Sequence, residues 1–184
     1  MLVHCFHSGD VVREFFSYQS GPPRDEKEFL SATEFILGHF TSSFFLSSIL
    51  EHGLLPDVEK TRATDDGVPS DSKSVYLATT FDRYYLRRAV ERHRGEGLVV
   101  EVQVFRSALF ADESQSASAN LEQASPDEAL YLSMCGGACK HRGLIPSSQI
   151  LSITDCRGLM RYEKIANLKG KKIRGQASLY SGLP

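Results

Sequence analysis

A strand that runs into a short helix, over residues 38–56, constrains the fold more than any other stretch of this sequence. The run Gly-His-Phe-Thr-Ser at 38–42 predicts a strand that ends in a polar turn. Residues 46–52 then carry apolar side chains at the i, i+3, i+4 spacing of an amphipathic helix. Gly53 predicts the end of that helix as its C-cap, and Pro56 prevents the helix from resuming. We therefore expect a strand–turn–helix unit here.

The end of this strand places a histidine beside small hydroxyl side chains. His39 is followed by Thr41, Ser42 and Ser43, so a polar ligand could be held at this point. A histidine in this position could equally satisfy a hydrogen bond within the core. The residues of this segment alone leave both interpretations open.

The size and charge of the chain limit the classes to which it can belong. With 184 residues, 41% of them apolar and 24% charged, the chain predicts one soluble domain with a hydrophobic core. A net charge of −2 gives no electrostatic basis for binding nucleic acid or an anionic membrane. No apolar run reaches the ~20 residues of a membrane span, and the first residues do not resemble a signal peptide. We expect a cytoplasmic protein, or an effector exported by an unmarked route.

The four cysteines do not suggest a disulfide scaffold, because they are few and scattered for a chain of this length. Cys135, Cys139 and His141 lie close in sequence, but a gap of three residues between the cysteines is loose for zinc. His4 and Cys5 would point to opposite faces of a strand. We therefore expect buried or free thiols and no metal site.

Hydrophobic periodicity and turn residues divide the chain into helices and strands. Strands are predicted at 74–80 and 98–105, the second being the clearest because apolar and polar residues alternate in its later part. Helices are predicted at 25–37 and at 84–94. The other predictions are a strand at 2–7, a helix at 11–18, a polar loop at 57–74, a loop-like stretch at 106–125, a helical or extended stretch at 128–134, two strands joined by a turn over 142–154, and an exposed tail at 167–174.

These elements predict a single domain of the α+β class, with a mixed, mostly antiparallel sheet flanked by helices. Within it, residues 1–37 would form an amino-terminal cover and residues 38–154 the core. Residues 155–184 would form a polar carboxyl-terminal segment. The loops at 57–74 and 111–128 are candidates for recognition of a protein partner, since long loops in compact domains are often functional.

Two segments resemble motifs of the ADP-ribosyltransferase superfamily. In its polymerase-like branch, a strand histidine is followed by a small or apolar residue and then by Ser or Thr, and a helix ends in Ile-Leu-x-x-Gly-Leu. His39, Thr41 and residues 49–54 follow that order. The strand at 75–79, Val-Tyr-Leu-Ala-Thr, is similar to the second motif, Tyr-x-Ala, of the neighbouring strand. The resemblance covers roughly residues 37–154 and implies an ADP-ribosyltransferase-like fold.

The resemblance also implies a site for NAD+, which would enter as a substrate without a metal. Tyr76 and an aromatic residue about one turn into the next helix, Tyr84 or Tyr85, would hold the nicotinamide ring between two faces. His39 would bind a ribose hydroxyl, and the backbone at Phe40 would bind the carboxamide. The implied cofactor-binding residues are His39, Phe40, Thr41, Ser42, Tyr76, Thr79, Tyr84, Tyr85 and Arg142.

The third motif departs from the pattern of the family. The family places a Glu directly before a short apolar run on a later strand, and Arg142 stands at that position here. Another acid could reach the site from the preceding loop, the transfer could proceed without a Glu, or the protein could be an inactive relative. The acids considered are Glu128 first, then Glu122 and Asp127. The candidate catalytic residues are His39, Tyr76 and Glu128.

A carboxylate matters in this chemistry because an oxocarbenium-like centre forms on the ribose as nicotinamide leaves, and a nearby negative charge stabilises that centre. An arginine cannot do this, but Arg142 could pair with the pyrophosphate of the dinucleotide. Glu128 could equally be an ordinary acid in the first turn of a helix.

The function implied by the resemblance is mono-ADP-ribosyl transfer from NAD+ to a protein side chain, with release of nicotinamide. Small stand-alone domains of this kind resemble bacterial toxins and effectors, and one narrower hypothesis is a hydroxyl acceptor on a host protein such as ubiquitin. We expect a monomer and no membrane or nucleic-acid partner. The alternatives are an RNA 2′-phosphotransferase, for which Arg83, Arg87, Arg88 and Arg142 could bind phosphate, and a binding module that has lost its chemistry.

Overall fold

The computed structural model of the chain describes residues 21–56, 70–80, 83–114, 123–155 and 161–163. These residues form an α+β fold in which helices flank an antiparallel sheet. In chain order, the elements are α1 (Glu26–Ser31), β1 (Glu34–Ser42), α2 (Leu46–His52), β2 (Ser74–Ala78), α3 (Arg83–His93), β3 (Gly97–Phe105), β4 (Leu109–Ala111), α4 (Pro126–Cys135), β5 (Ala138–Arg142), β6 (Ile150–Asp155) and β7 (Arg161–Glu163).

The seven strands form one sheet in the order β4-β5-β2-β1-β3-β6-β7. Every pair of neighbouring strands is antiparallel, which confirms the predicted class and the mostly antiparallel sheet. The central strands β1 and β3 pair along their whole length, from Glu34 opposite Phe105 to Ser42 opposite Gly97. The candidate histidine, His39, therefore lies on a strand in the middle of the sheet.

The hydrophobic core lies on one face of this sheet. Directly opposite residues of paired strands share a face, so the register places Leu37 of β1 beside Val102 of β3, and both are fully buried. The helices complete this core with Phe29 of α1, Ile49 of α2, and Leu130 and Met134 of α4. Each such side chain contributes about 1.5–3 kcal/mol by burial.

The turn after α2 fixes the carboxyl-terminal end of that helix against a distant segment. Gly53 has a φ of +86° and its N–H donates to the carbonyl of Ile49, so the predicted glycine stop is confirmed. Leu54 then exchanges both backbone hydrogen bonds with Ile145. A Cβ on Gly53 would lie 2.1 Å from the Ile145 oxygen, so this close approach of two backbones requires glycine.

The predicted helix over residues 25–37 is wrong in its second half. Helix α1 ends at Ser31, and β1 begins at Glu34. Phe35 stacks on Phe29 with ring centroids 5.9 Å apart, and pairing with β3 supplies the hydrogen bonds that a longer helix would have made. Tertiary pairing therefore overrides the local helical pattern. The proposed division between cover and core after residue 37 falls inside β1.

The structure also corrects two predictions in the second half of the chain. The loop-like stretch at 106–125 contains the short strand β4. The strand predicted to begin at Arg142 is wrong, because strand β5 occupies residues 138–142 and ends at that residue. The polar sequence of β5 hides its alternation, because Lys140 points away from the core while Cys139 and His141 are buried. The strands at 74–80 and 98–105 and the helix at 84–94 are confirmed to within a few residues.

Several predictions lie outside the described residues. They are the strand at 2–7, the helix at 11–18, most of the loop at 57–74 and the tail at 167–174. Within the described ranges, no helix combines the length and apolar character needed to cross a membrane.

Candidate functional site

The two strands that carry the motif residues separate just where those residues begin. In the part of the chain that the structure describes, β1 and β2 pair in register only at Gly38 and Ala78. One residue further along β1, the Nδ1 atom of His39 lies 2.9 Å from the carbonyl oxygen of Tyr76. A side chain thus takes the place of a ladder hydrogen bond between these strands.

This contact sets the protonation of the imidazole. A carbonyl oxygen only accepts hydrogen bonds, so Nδ1 of His39 carries the proton and donates to Tyr76. Burial lowers the pKa of His39, and the bond to the Tyr76 carbonyl opposes that effect in part. The ring is therefore neutral near pH 7, and its Nε2 presents a lone pair that can accept from a hydroxyl group.

The hydroxyl group of Tyr76 is held at both of its hydrogen-bonding positions. It accepts from the backbone N–H of Asp71 at 2.6 Å and donates to the carboxylate of Glu113 at 2.9 Å. Burial, followed by the bond to Glu113, raises the pKa of Tyr76 above its usual value, and the Asp71 N–H opposes this. The phenol therefore remains protonated and fixed in one orientation.

A lysine closes this arrangement into a network. Lys140 lies opposite Tyr76 on β5 and forms an ion pair with Glu113. Its Nζ atom also lies 3.6 Å from a carboxylate oxygen of Asp71. The Lys140 side chain is only 12% exposed, so two carboxylates compensate for the burial of its charge.

Asp71 is itself fixed by its own turn. Its carboxylate accepts from the backbone N–H of Lys73 at 2.9 Å and from the hydroxyl of Ser74 at 2.8 Å. These two bonds lower the pKa of Asp71, with smaller contributions from the charges of Lys140 and Arg142. The start of β2 is thereby tied to the network around Tyr76.

Glu113 owes its position to the residue before it. Asp112 accepts from the backbone N–H and the hydroxyl of Ser114, at 2.8 and 2.6 Å, in the manner of a helix cap. The backbone N–H of Asp112 donates to the buried hydroxyl of Ser133, which donates to the carbonyl of Ala138. Helix α4 and strand β5 together hold the turn that presents Glu113.

The rings of His39 and Tyr76 do not face each other. Counting from the Gly38–Ala78 pair, strand alternation puts His39 on the core face with Leu77, and Tyr76 on the other face with Phe40. The two rings therefore lie on opposite faces of the sheet, on the neighbouring strands β1 and β2.

Two residues implied to bind the cofactor are hydrogen-bonded within the fold. Ser42 is fully buried, and its hydroxyl donates to the carbonyl of Arg94 and accepts from the N–H of Phe44. Thr79 is 1% exposed, and its hydroxyl donates to the carbonyl of Met134 at 2.7 Å. Both hydroxyls bond to the backbone at junctions between elements, so neither is presented to a ligand in this structure, and their role in binding a cofactor stays a prediction.

The structure also locates four further residues that the resemblance implies for cofactor binding. Thr41 is buried beside His39 along the strand, and half-buried Phe40 pairs with Val99 of β3. Tyr84 and Tyr85 lie in the first turn of α3 with ring centroids 5.5 Å apart. Both tyrosine rings are exposed, as a surface that receives a planar group would require.

Arg142 lies at the end of β5, on the face that carries Tyr76 and Lys140. Its guanidinium carbon is 4.6 Å from the centre of the Phe110 ring, a cation–π contact. The side chain is exposed and its charge acts on Asp71. The structure thus brings Arg142 close to the Tyr76 network.

Glu128 is not part of that network. It is exposed in the first turn of α4, where its backbone N–H donates to the Ser125 hydroxyl. Helix α4 packs through Leu130 and Met134 onto the core face, opposite to the face that carries the phenol of Tyr76. Glu113, and not Glu128, therefore contacts the hydroxyl of Tyr76.

Sequence reasoning missed Glu113, Lys140 and Asp71. The signal for Glu113 was the Asp112-Glu113 pair after a short apolar run, since Asp112 is a good helix cap. Among the described residues, no group of three or more His, Cys, Asp or Glu side chains could hold a metal ion. No protein-family model matches the chain, and no curated protein matches its sequence.

Proposed function

We propose that this protein is an NAD+-dependent mono-ADP-ribosyltransferase with an ADP-ribosyltransferase-like fold. The observation that carries the proposal is the contact between His39 and the Tyr76 carbonyl at the point where β1 and β2 separate. It joins the two motif residues that resemble those of the family. The acceptor we propose is a protein side chain with a hydroxyl group, such as one on a host protein.

In this reaction the bond between C1′ of the ribose and the nicotinamide nitrogen breaks, and its electron pair leaves with nicotinamide. The acceptor oxygen then forms a bond to C1′ and gives up its proton. A site for this chemistry must hold the ring, orient the ribose and place a negative charge near C1′. The candidates for these tasks are Tyr76 for the ring, His39 for the ribose and Glu113 for the negative charge.

The two motif residues would hold different parts of the dinucleotide. The nicotinamide ring would lie against the phenol of Tyr76, whose hydroxyl is fixed by Asp71 and Glu113. A hydroxyl group of the ribose would donate to Nε2 of neutral His39, whose side chain is half-buried.

Glu113 is the carboxylate that we propose for the third role. It lies 2.9 Å from the Tyr76 hydroxyl, whereas Arg142 occupies the position at which the family has a glutamate. The Glu113 carboxylate would stabilise positive charge on the ribose and accept the proton of the acceptor.

The test is transfer of label from NAD+ to the proteins of a cell lysate. Wild-type protein should transfer label, and His39→Ala and Tyr76→Phe should each lower the rate. Tyr131→Phe, on helix α4, is the matched control for the loss of one phenolic hydroxyl. Equal transfer by the wild type and both site variants would place the chemistry elsewhere.

The same assay separates the alternatives. A binding module without chemistry would release no nicotinamide and transfer no label. An RNA 2′-phosphotransferase would remove phosphate from a 2′-phosphorylated RNA only in the presence of NAD+, without labelling a protein. Either result would overturn the proposed protein-directed activity.

A further inference from the structure

Helix α3 is strongly basic, although the net charge of the whole chain is slightly negative. Residues 83–94 contain five arginines and one glutamate, whereas the whole chain has a net charge of −2. Leu86 is buried on the inner side of the helix. Arg87 and Arg92 are exposed on the outer side. The helix packs on β1 and β3, so its basic side faces solvent on a rigid support.

Aromatic rings accompany these arginines. Tyr84 is 40% exposed and Tyr85 48% exposed, and their rings meet edge to face. The guanidinium carbons of Arg87 and Arg88 each lie 5.9 Å from the centre of the Tyr84 ring. Planar cations and an exposed ring of this kind bind flat, electron-rich groups by stacking.

We propose that the surface formed by Tyr84, Tyr85, Arg87, Arg88 and Arg92, which we call the α3 surface, binds single-stranded nucleic acid. Charge complementarity selects a polyanion, because arginines outnumber acids in this segment. The exposed tyrosines favour an unpaired base over a duplex, since bases in a duplex are already stacked. The inference does not depend on the proposed transferase activity.

The one acid on this helix gives the proposal a distinctive consequence. Glu91 lies one turn beyond Arg87, with 3.5 Å between the carboxylate and the guanidinium. It repels phosphate and competes for Arg87. Glu91→Gln should therefore strengthen binding more than Glu34→Gln, which removes an exposed acid from β1, outside the α3 surface.

The experiment is fluorescence anisotropy of labelled oligonucleotides of about 12 nucleotides, a length within the usual site sizes. The probes are single-stranded DNA, single-stranded RNA and duplex DNA, with inorganic polyphosphate as competitor, over a range of salt concentrations. We expect either single strand to bind more tightly than the duplex. The tighter of the two identifies the preferred sugar.

Substitutions then locate the site. Arg87→Ala/Arg88→Ala should reduce the slope of log affinity against log salt by about 1.4, because each lost phosphate contact accounts for about 0.7 on a single strand. Tyr84→Ala should weaken binding about tenfold and leave that slope unchanged. The control Arg24→Ala/Lys27→Ala removes two exposed cations from around α1 and should have little effect.

The proposal is overturned if neither single strand binds. It is also overturned if the α1 control weakens binding as much as the α3 variant, or if polyphosphate competes as well as nucleic acid while Tyr84→Ala binds normally. Circular dichroism spectra and melting temperatures of the variants show whether each is folded. Binding of the single-stranded oligonucleotides without any transfer of ADP-ribose would leave this proposal intact and would count only against the proposed transferase activity.

Discussion

The imidazole of His39 donates to the main-chain carbonyl of Tyr76 across a distance of 2.9 Å. This bond lies one residue beyond Gly38, which pairs with Ala78 of the neighbouring strand, so it ties the two strands together next to that pair. The side chain of Tyr76 is held separately, on the other face, by Asp71 and Glu113. One residue thus serves two networks, through its backbone and through its hydroxyl group.

Replacement of Glu113 should affect transfer far more than replacement of Glu128. Glu113→Gln removes the negative charge next to Tyr76 and should lower the transfer rate by about 100-fold, in the range found for the loss of one stabilising group. Glu128→Gln should leave the rate nearly unchanged, because that side chain is exposed on α4. Steady-state nicotinamide release measures both variants. The opposite order of effects would return the role to Glu128.

Loss of the Tyr76 hydroxyl should also destabilise the protein. Tyr76→Phe removes two hydrogen bonds of the hydroxyl group. One is accepted from the Asp71 N–H, and the other is donated to the Glu113 carboxylate. We expect a loss of about 1–2 kcal/mol in the free energy of unfolding. Urea denaturation provides the value, with Tyr85→Phe as the exposed control. A loss no greater than that of the control would show that the hydroxyl contributes nothing to stability.

The lowered pKa of His39 predicts a loss of stability in weakly acidic solution. The folded protein resists protonation of this ring, whereas the unfolded chain takes up a proton near pH 6.5. Stability is therefore complete above about pH 6.5 and falls as the pH drops toward the folded pKa, by at most about 1.4 kcal/mol per pH unit.

His39→Asn isolates this contribution, because an amide N–H can replace the Nδ1 donor but does not titrate. The difference in unfolding free energy between the wild type and this variant should change between pH 7 and pH 5. The other titrating groups cancel in that difference. A constant difference across this range would mean that His39 has the same pKa in both states.

Two glycines with similar backbone conformations should respond very differently to alanine. Gly143 has a φ of +83°, and no atom lies within 4 Å of the point that a Cβ would occupy, so Gly143→Ala should cost only the backbone strain of about 1–2 kcal/mol. Gly53 has a φ of +86°, and its Cβ would collide with the Ile145 carbonyl. Gly53→Ala should cost about 4 kcal/mol or more. Thermal unfolding compares them, and equal losses would contradict the close approach.

The elements that could be predicted from the sequence are those whose local pattern and tertiary role agree. The alternation in β3 and the glycine after α2 each indicate the structure that forms. Residues 34–37 could not be assigned correctly, because their helical spacing is overridden by pairing with β3. Strand β5 escaped detection because its outward face carries Lys140 and Arg142, which interrupt the apolar pattern.

The site could be predicted in part for the same reason. His39 and Tyr76 belong to local motifs, so their strands could be recognised, and the structure brings them into contact. Glu113 lies 37 positions after Tyr76 in the sequence, and no local sequence pattern relates residues so far apart. The register that places the two rings on opposite faces depends on one residue pair, Gly38 and Ala78, which spacing alone does not specify.

The central claim is that NAD+ binds beside strands β1 and β2, held by His39 of β1 and Tyr76 of β2. Isothermal titration of NAD+ into the wild type, His39→Ala and Tyr76→Ala is the most direct measurement. We predict that the wild type binds NAD+ and that each substitution weakens binding by about tenfold or more. Equal affinity in all three folded proteins, or no binding to the wild type, would contradict the claim.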